Sequence, residues 1–457
     1  MVAEVPPATG AYPRRDGNRV SPLIDGEPAF RRIVAAIEAA RASVWVTLAF
    51  VDRDAQLPDG RGTVFDVLDA AAARGLDVRA LVWHEPDLDT ILPGSWHFPG
   101  REGERIWLAA RRSRLRVRWD HLPDYCHHQK SWLVDAGSLG EVAFVGGINV
   151  EQGSIVSPGH RPWREGDNIH DVYLEVRGPS ATDVHHNFVQ RWNEASERGS
   201  ASGVWPDAAA AGDLPFPTAA SAACGDVPVQ IVRTVRAGLY RADTPTPGGE
   251  AFAIADGETS ARDHYLAAIA GARRSLYLEQ QFLASPEVLL AIEEALERGV
   301  EVVILMPGDP MQQVREARED ARYAPLFEHL GTLARFPHFT LAAPVVTGPN
   351  GAAQDVYVHA KVGLVDDAWA TVGSTNIAAR SFYGDTELNA SFWHAATVRA
   401  FRCALLREHL DVDTAHLDDR AAFRLYADLA RANRERRERG EPLRGLAVAL
   451  DPRSYAG

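Results

Sequence analysis

His128-Gln129-Lys130-Ser131-Trp132-Leu133-Val134-Asp135 and His359-Ala360-Lys361-Val362-Gly363-Leu364-Val365-Asp366 repeat one pattern. In each, a histidine and a lysine stand two apart, and an aspartate follows five residues after the lysine. Each stretch leads to a glycine-headed segment ending in asparagine: Gly146-Gly147-Ile148-Asn149 in the first copy, Gly373-Ser374-Thr375-Asn376 in the second. The 457-residue chain has 48 lysines and arginines, and Lys130 and Lys361 are its only lysines. A codon bias toward arginine explains the scarcity but not the placement. Lysine is a compact, rotatable point charge, whereas arginine is a planar fork that favours two-point contacts. A site that needs one ammonium against one oxygen keeps lysine.

Around the first motif, Ser131–Asp135 and Val142–Val145 read as a strand pair joined by the turn Ala136–Glu141. Residues two apart on a strand face the same side. His128 and Lys130 therefore project together, as do His359 and Lys361. Upstream, Asp25 reads as the cap of a helix with Phe30, Ile33, Val34 and Ile37 on one face. Ser43–Val51 is a nearly continuous apolar run, hence a buried strand. Thr63 caps a second helix that ends at Gly75, and Asp77–Trp83 is the next strand. His170–Val176 is a further strand, and Ser180 reads as the cap of a helix bearing Val184, Phe188 and Trp192. Helices alternating with buried strands define an α/β fold. Residues 84–112 carry His84, Trp96, His97, Phe98 and Trp107 among prolines and glycines, and read either as a surface loop or as an aromatic wall of the site.

The second half replays the first. Ser275-Leu276-Tyr277-Leu278 echoes Ser43-Val44-Trp45-Val46 at an offset of 232, with Phe282 matching Phe50. Arg298-Gly299 echoes Arg74-Gly75 at 224, and the motif histidines lie 231 apart. A near-constant offset reads as an internal duplication in which each half supplies one motif. The expected division is an N-terminal extension (1–24), a first catalytic half (25–200), an Ala/Gly/Ser/Pro-rich linker (201–226) and a second catalytic half (227–457). Arg431–Arg444 reads as a solvated, mixed-charge helix.

The net charge of −14 weighs against nucleic acid as a partner, since basic groups supply most of such affinity. Three cysteines at irregular spacing suggest neither disulfides nor a zinc motif. No run of about 18 apolar residues is present, and Met1–Gly17 lacks the apolar core of a signal peptide. A cytoplasmic or membrane-peripheral protein is expected, with secretion left open. If the halves pack about a pseudo-twofold axis, the two motif faces form one pocket holding two imidazoles, two ammoniums and the amides of Asn149 and Asn376. Such a pocket neutralises a phosphodiester and the charge that builds during attack on it. One neutral imidazole can attack phosphorus, and the other can protonate the departing alkoxide. This chemistry calls for no metal and no cofactor.

The doubled His-x-Lys-x4-Asp motif with its Gly-Gly/Ser-x-Asn partner resembles the phospholipase D superfamily. Tyr277-Leu278-Glu279-Gln280-Gln281-Phe282, His170-Asp171-Val172, Phe188 with Arg191-Trp192-Asn193, and Glu408-His409-Leu410 extend the resemblance over nearly the whole chain. It implies an internally duplicated α/β fold, two halves each with a central mixed sheet flanked by helices. It implies His128 as nucleophile and His359 as acid/base, with Asp171 orienting His128 and Glu387 orienting His359. Asn149, Asn376 and Ser374 are the expected phosphate-binding groups, Gly147 standing where Ser374 does in the other copy. Asp135 and Asp366 are read as braces of their motif strands. His127 is read as a neighbour of the site, His170 and His409 as scaffold. The first copy's hairpin turn is four residues longer, and Gln280 stands where the family often has asparagine. The implied activity is phospholipase D: metal-independent hydrolysis of a phospholipid at a membrane or micelle surface, through a phosphohistidine that water or an alcohol can intercept. The alternatives are a phosphatidyltransferase of the cardiolipin or phosphatidylserine synthase type, and a superfamily nuclease.

Overall fold

The computed structural model describes residues 5–91, 97–160, 168–195, 212–348 and 352–457. The strands of the first half are β1 (Arg15–Ile24), β2 (Ser43–Leu48), β3 (Asp77–Trp83), β4 (Arg116–Asp120), β5 (Ser131–Val134), β6 (Val142–Gly146), β7 (Ile169–His170) and β8 (Val172–Arg177). Those of the second are β9 (Val227–Thr234), β10 (Ser275–Glu279), β11 (Leu283–Ala284), β12 (Glu301–Leu305), β13 (Phe339–Thr347) and β14 (Ala353–Asp355). They continue with β15 (Tyr357–Val358), β16 (Val362–Val365), β17 (Trp369–Gly373), β18 (Ile377–Ala378), β19 (Glu387–Trp393) and β20 (Ala447–Ala449).

Each half carries a central mixed sheet, and the two join edge to edge into one sheet of sixteen strands. Outward from its centre the first half reads β1-β8-β6-β5-β2-β3-β4 and the second β9-β19-β17-β16-β10-β12-β13. The pairing senses match as well: β2 and β3 are parallel, as are β10 and β12. β5 and β6 are antiparallel, as are β16 and β17. The halves meet where β1 runs antiparallel to β9. Residues 1–24 therefore need correcting. They are not merely a surface-draped extension, because 15–24 form a strand at the middle of the sheet. Gly17, Asn18 and Pro22 hide it by interrupting the apolar alternation. Asn18, fully buried, repairs the irregular β1–β9 register by donating to the carbonyls of Arg15 and Val227. Of the expected linker, residues 201–211 lie outside the described residues.

The helices of the first half are α1 (Gly26–Ala39), α2 (Val64–Ala73), α3 (Leu88–Ile91), α4 (Glu102–Ala110) and α5 (Ala181–Glu194). The second half has α6 (Ser260–Gly271), α7 (Pro286–Glu297), α8 (Gln312–Glu319), α9 (Ala324–Thr332), α10 (Ala379–Tyr383), α11 (Ala395–Leu410) and α12 (Asp419–Glu438). Alternation along β2 decides which face meets which helix. Val44, Val46 and Leu48 join the α1 and α2 core, while Trp45 turns the other way and stacks on Phe188 of α5. In the second half Leu276 and Leu278 join the α6 and α7 core, and Tyr277 packs toward α12. Thr63 caps α2 with a full capping box. Asp25 and Ser180 do not cap by side chain. Ser180 donates instead to the Val229 carbonyl, and Asp25 bonds His170. Among the described residues of 84–112, Leu88–Ile91 and Glu102–Ala110 are the helices α3 and α4, and Phe98 and Trp107 pack on Phe65. Trp96 lies outside the described residues.

Candidate active site

Each motif strand ends in an aspartate with left-handed backbone, Asp135 at φ 56° and Asp366 at φ 54°. This conformation costs aspartate less than most residues, and it folds the carboxylate back onto the start of the neighbouring strand. Asp135 accepts from the N–H groups of Arg41, Ala42 and Ser43 at 2.7–3.3 Å. Asp366 accepts from those of Arg273, Arg274 and Ser275 at 2.8–3.0 Å. Neither aspartate lines the cavity described below.

At the opposite end of each strand, the motif pairs with the other half. The His128 N–H donates to the Thr386 carbonyl at 3.0 Å, and the His359 N–H to the His170 carbonyl at 2.9 Å. The next residue along is Glu387 in one case and Asp171 in the other. The orienting carboxylates are thus crossed relative to the sequence expectation. His128 Nδ1 bonds Glu387 at 3.0 Å, and His359 Nδ1 bonds Asp171 at 2.6 Å. The resemblance implied a same-half pairing, with the carboxylate downstream of each motif serving that motif's histidine. The parallel contacts between halves override it by carrying each carboxylate across the boundary. With both Nδ1 atoms engaged, both Nε2 atoms are left for a substrate.

Both histidines line one cavity of about 480 Å3. Its wall includes Phe50, Trp83, Glu85, Asp87, Asp124, Tyr125, Gln281, Phe282, Met311, Asn376, Arg380 and Asp385. Lys130 donates to the His128 carbonyl at 2.8 Å and sits 5.6 Å from the centroid of the Phe50 ring. Lys361 donates to the His359 carbonyl and to Gln281. Asn376 faces the cavity, and its Oδ1 has no protein partner. Two other expected phosphate ligands are placed differently. Asn149 does not line the cavity, and its Nδ2 donates to Glu151. Ser374 is fully buried and donates its hydroxyl proton to Glu387 at 2.6 Å, leaving none for a phosphate. Where Ser374 stands in one copy, Gly147 stands in the other. A Cβ there would lie 2.4 Å from Asp171 Oδ1, so only glycine leaves room for that carboxylate. His127 is buried with Nε2 3.1 Å from Asp120, away from the cavity.

Burial dominates the electrostatics. It pushes His128 well below the usual imidazole range, helped by Lys130 and Lys361. Burial and Lys361 bring His359 down to about 3. Burial lowers Lys130, and lowers Lys361 to about 7. The two carboxylates differ. Burial lifts Glu387 to about 7 despite Lys130. Burial also pushes on Asp171, but the His359 hydrogen bond and the Lys361 charge outweigh it and hold the group below its ordinary value.

Sequence reasoning missed the acidic part of the wall, Glu85, Asp87, Asp124 and Asp385, because these residues belong to no repeated motif. Phe50 and Phe282 were detectable. They match at the offset of 232 that relates the two halves of the sequence, and both face the cavity.

One continuous α/β sheet thus brings two opposed His-x-Lys strand ends together, with His128 and His359 in the wall of one cavity and Lys130 and Lys361 buried just behind it. Residues 265–408 match the family model described as "Cardiolipin synthase, PLD-like domain". "Phospholipase D A" of Dictyostelium discoideum is 24% identical over 83% of this chain and 33% of its own length. "Cardiolipin synthase A" of Pseudomonas entomophila is 27% identical over 82% of this chain and 65% of its own. The chain thus spans one third to two thirds of the length of these curated relatives. Among solved structures, the phosphatidylserine synthase of Haemophilus influenzae Rd KW20 shares the fold, with a TM-score of 0.52, 13% identity, and coverage of 90% of this chain and 93% of that one. The PLD-like domain at 265–408 and these relatives support membership of the phospholipase D superfamily.

Proposed function

We propose that the protein is a phospholipase D, cleaving the head-group ester of a phospholipid to phosphatidate and the free alcohol. The observation that carries this reading is the single cavity lined by His128 and His359 together. Before substrate enters, both imidazoles are neutral. A phosphodiester anion seated between the ammoniums offsets their charge and raises both imidazole values. His359, backed by the ionised Asp171, is then the better proton carrier. His128, backed by a carboxyl that titrates at about 7, is the better neutral nucleophile.

Once the seated anion has raised its value, His359 takes a proton from solvent on Nε2. His128 Nε2 then attacks phosphorus as the bond to the head-group oxygen breaks, and His359 gives that proton to the departing oxygen. Water then passes a proton to His359 and attacks phosphorus. The P–N bond breaks, and its electron pair returns to His128. An alcohol in place of water gives transfer. Lys130, Lys361 and Asn376 stabilise the charge on the equatorial oxygens.

The wall supports a cationic head group. Glu85, Asp87 and Asp124 supply negative charge, and Phe50 and Trp83 supply ring faces of the kind that receive alkylammonium groups. The same wall disfavours a polyanion. The second reading, transfer to a lipid alcohol, is favoured by the relatives named cardiolipin synthase. Among the described residues no helix is long and apolar enough to cross a membrane, so a phospholipid is expected to be met at a bilayer or micelle surface.

The test gives the protein phosphatidylcholine vesicles, phosphatidylglycerol vesicles and supercoiled plasmid in parallel. Choline release with accumulating phosphatidate is expected. Cardiolipin formed from phosphatidylglycerol without choline release, or nicking without lipid turnover, would overturn the assignment.

A further inference from the structure

Linked to His359 through the His170 carbonyl, and outside the cavity lining, lies a second buried cluster that the mechanism does not use. We propose that Asp25, His160, His170 and Glu408 hold a divalent transition-metal ion of the zinc class. One donor atom from each lies within 4.8 Å of the others. His160 Nε2 is 3.4 Å from Glu408 Oε1 and 3.7 Å from Asp25 Oδ2, and His170 Nδ1 is 3.7 Å from Glu408 Oε1. Tetrahedral zinc with bonds of about 2.0–2.1 Å spaces its ligands by roughly 3.3 Å, so small movements suffice.

Two features separate this cluster from a chance gathering of polar groups. First, His160 Nε2, Asp25 Oδ2 and Glu408 Oε2 are buried without hydrogen-bond partners, with side chains 0–3% exposed. Buried polar atoms are rarely left so. Second, the far nitrogen of each imidazole is already held by an oxygen acceptor. His160 Nδ1 bonds Asn168 Oδ1, and His170 Nε2 bonds Glu279 at 3.2 Å, while His170 Nδ1 bonds Asp25 Oδ1 at 2.9 Å, a contact the ion would replace. That is how metal-ligating histidines are oriented, with one nitrogen to the ion and the other N–H to an amide oxygen or carboxylate. Two imidazoles and two carboxylates form an N/O donor set suited to zinc, and too nitrogen-rich for calcium or magnesium.

The ligands come from three parts of the chain: Asp25 after β1, His160 and His170 before β8, and Glu408 on α11 of the other half. The His170 carbonyl holds the His359 N–H, and the Asp25 N–H holds the Asp171 carbonyl at 2.8 Å. An ion here would clamp both halves around the acid/base pair without touching substrate. Its role would be positional.

The test is metal analysis of the intact protein after dialysis against excess zinc and desalting, followed by replacement with cobalt(II). One equivalent is expected, with the visible absorption of four-coordinate cobalt and a raised melting temperature. H160A and E408Q should each lose the equivalent, whereas H128A, which alters only the active site, should keep it. If the wild-type protein after zinc dialysis holds less than about a tenth of an equivalent and gives no cobalt spectrum, the assignment fails, whatever the variants do. Metal retained by H160A and E408Q at the wild-type level would equally overturn it.

Discussion

The two half-sites share a histidine and a lysine but differ in what stands behind them. Behind His128 are Glu387 and Ser374, and the carboxyl, fully buried, titrates near neutrality. Behind His359 are Asp171 and Gly147, and the carboxylate stays ionised. Two half-sites of matching strand order thus differ by one methylene and one hydroxymethyl group. Glycine makes room for a short, charged carboxylate, while serine supports a longer one of raised proton affinity. The geometry stays near-symmetric and the proton affinities do not, and this is the division that separate nucleophile and acid roles require.

The largest expected effect comes from removing one imidazole at a time. His128→Ala should lower turnover by about 10^4-fold or more with every leaving group, because no nucleophile remains. His359→Ala should be as severe with a choline ester. With a p-nitrophenyl ester, whose leaving group needs no proton, its first step should recover by about 10^2–10^3-fold. Equal behaviour of the two variants on both substrates would remove the asymmetry.

The crossed carboxylates come next. Asp171→Asn should cost about 10^2-fold on the choline ester and much less on the p-nitrophenyl ester, following His359 rather than His128. Glu387→Gln should cost a similar factor on both. The opposite pattern would restore the same-half pairing.

A subtler difference lies in pH. Glu387 must lose its proton to accept from His128, and Lys361 must keep its own to attract phosphate, and both titrate at about 7. As a coupled pair they should give kcat/KM a narrow bell around that pH. Its acid limb falls as Glu387 is protonated, and its alkaline limb falls as Lys361 is neutralised. Glu387→Gln should abolish the acid limb and leave the alkaline one. An acid limb unchanged in that variant would assign it to another group.

The smallest effect on turnover should come from the part of the molecule that is symmetric. Asp135→Ala and Asp366→Ala each strip three backbone N–H groups of their acceptor, which should destabilise the fold by about 2–4 kcal/mol in either half. Denaturant unfolding checks this. The shape of the pH profile should not change.

The repeated strand order was readable because buried strands leave long apolar runs, and a near-constant offset between copies survives in Ser43/Ser275 and Phe50/Phe282. The motif strands and their aspartates were readable for the same reason. β1 was not, since a central strand built of Arg15-Asp16-Gly17-Asn18 is held by side-chain amide bonds rather than by alternation. The carboxylate crossing was hidden because it depends on how two distant segments, 126–128 and 385–387, pair through their backbones. No local spacing encodes such a contact. The fate of Ser374 follows from that crossing. Its hydroxyl is a phosphate ligand only if Glu387 lies elsewhere.

The central claim is that one phosphorus atom is attacked by His128 inside a cavity shared with His359. The most direct measurement is acid-free quenching during turnover of a short-chain phospholipid labelled in its phosphate, followed by peptide mapping. The account expects label on the peptide carrying His128 in the wild-type protein, more of it in His359→Ala given an activated ester, and none in His128→Ala. Label on the His359 peptide, or label persisting at the wild-type level in His128→Ala, would contradict it.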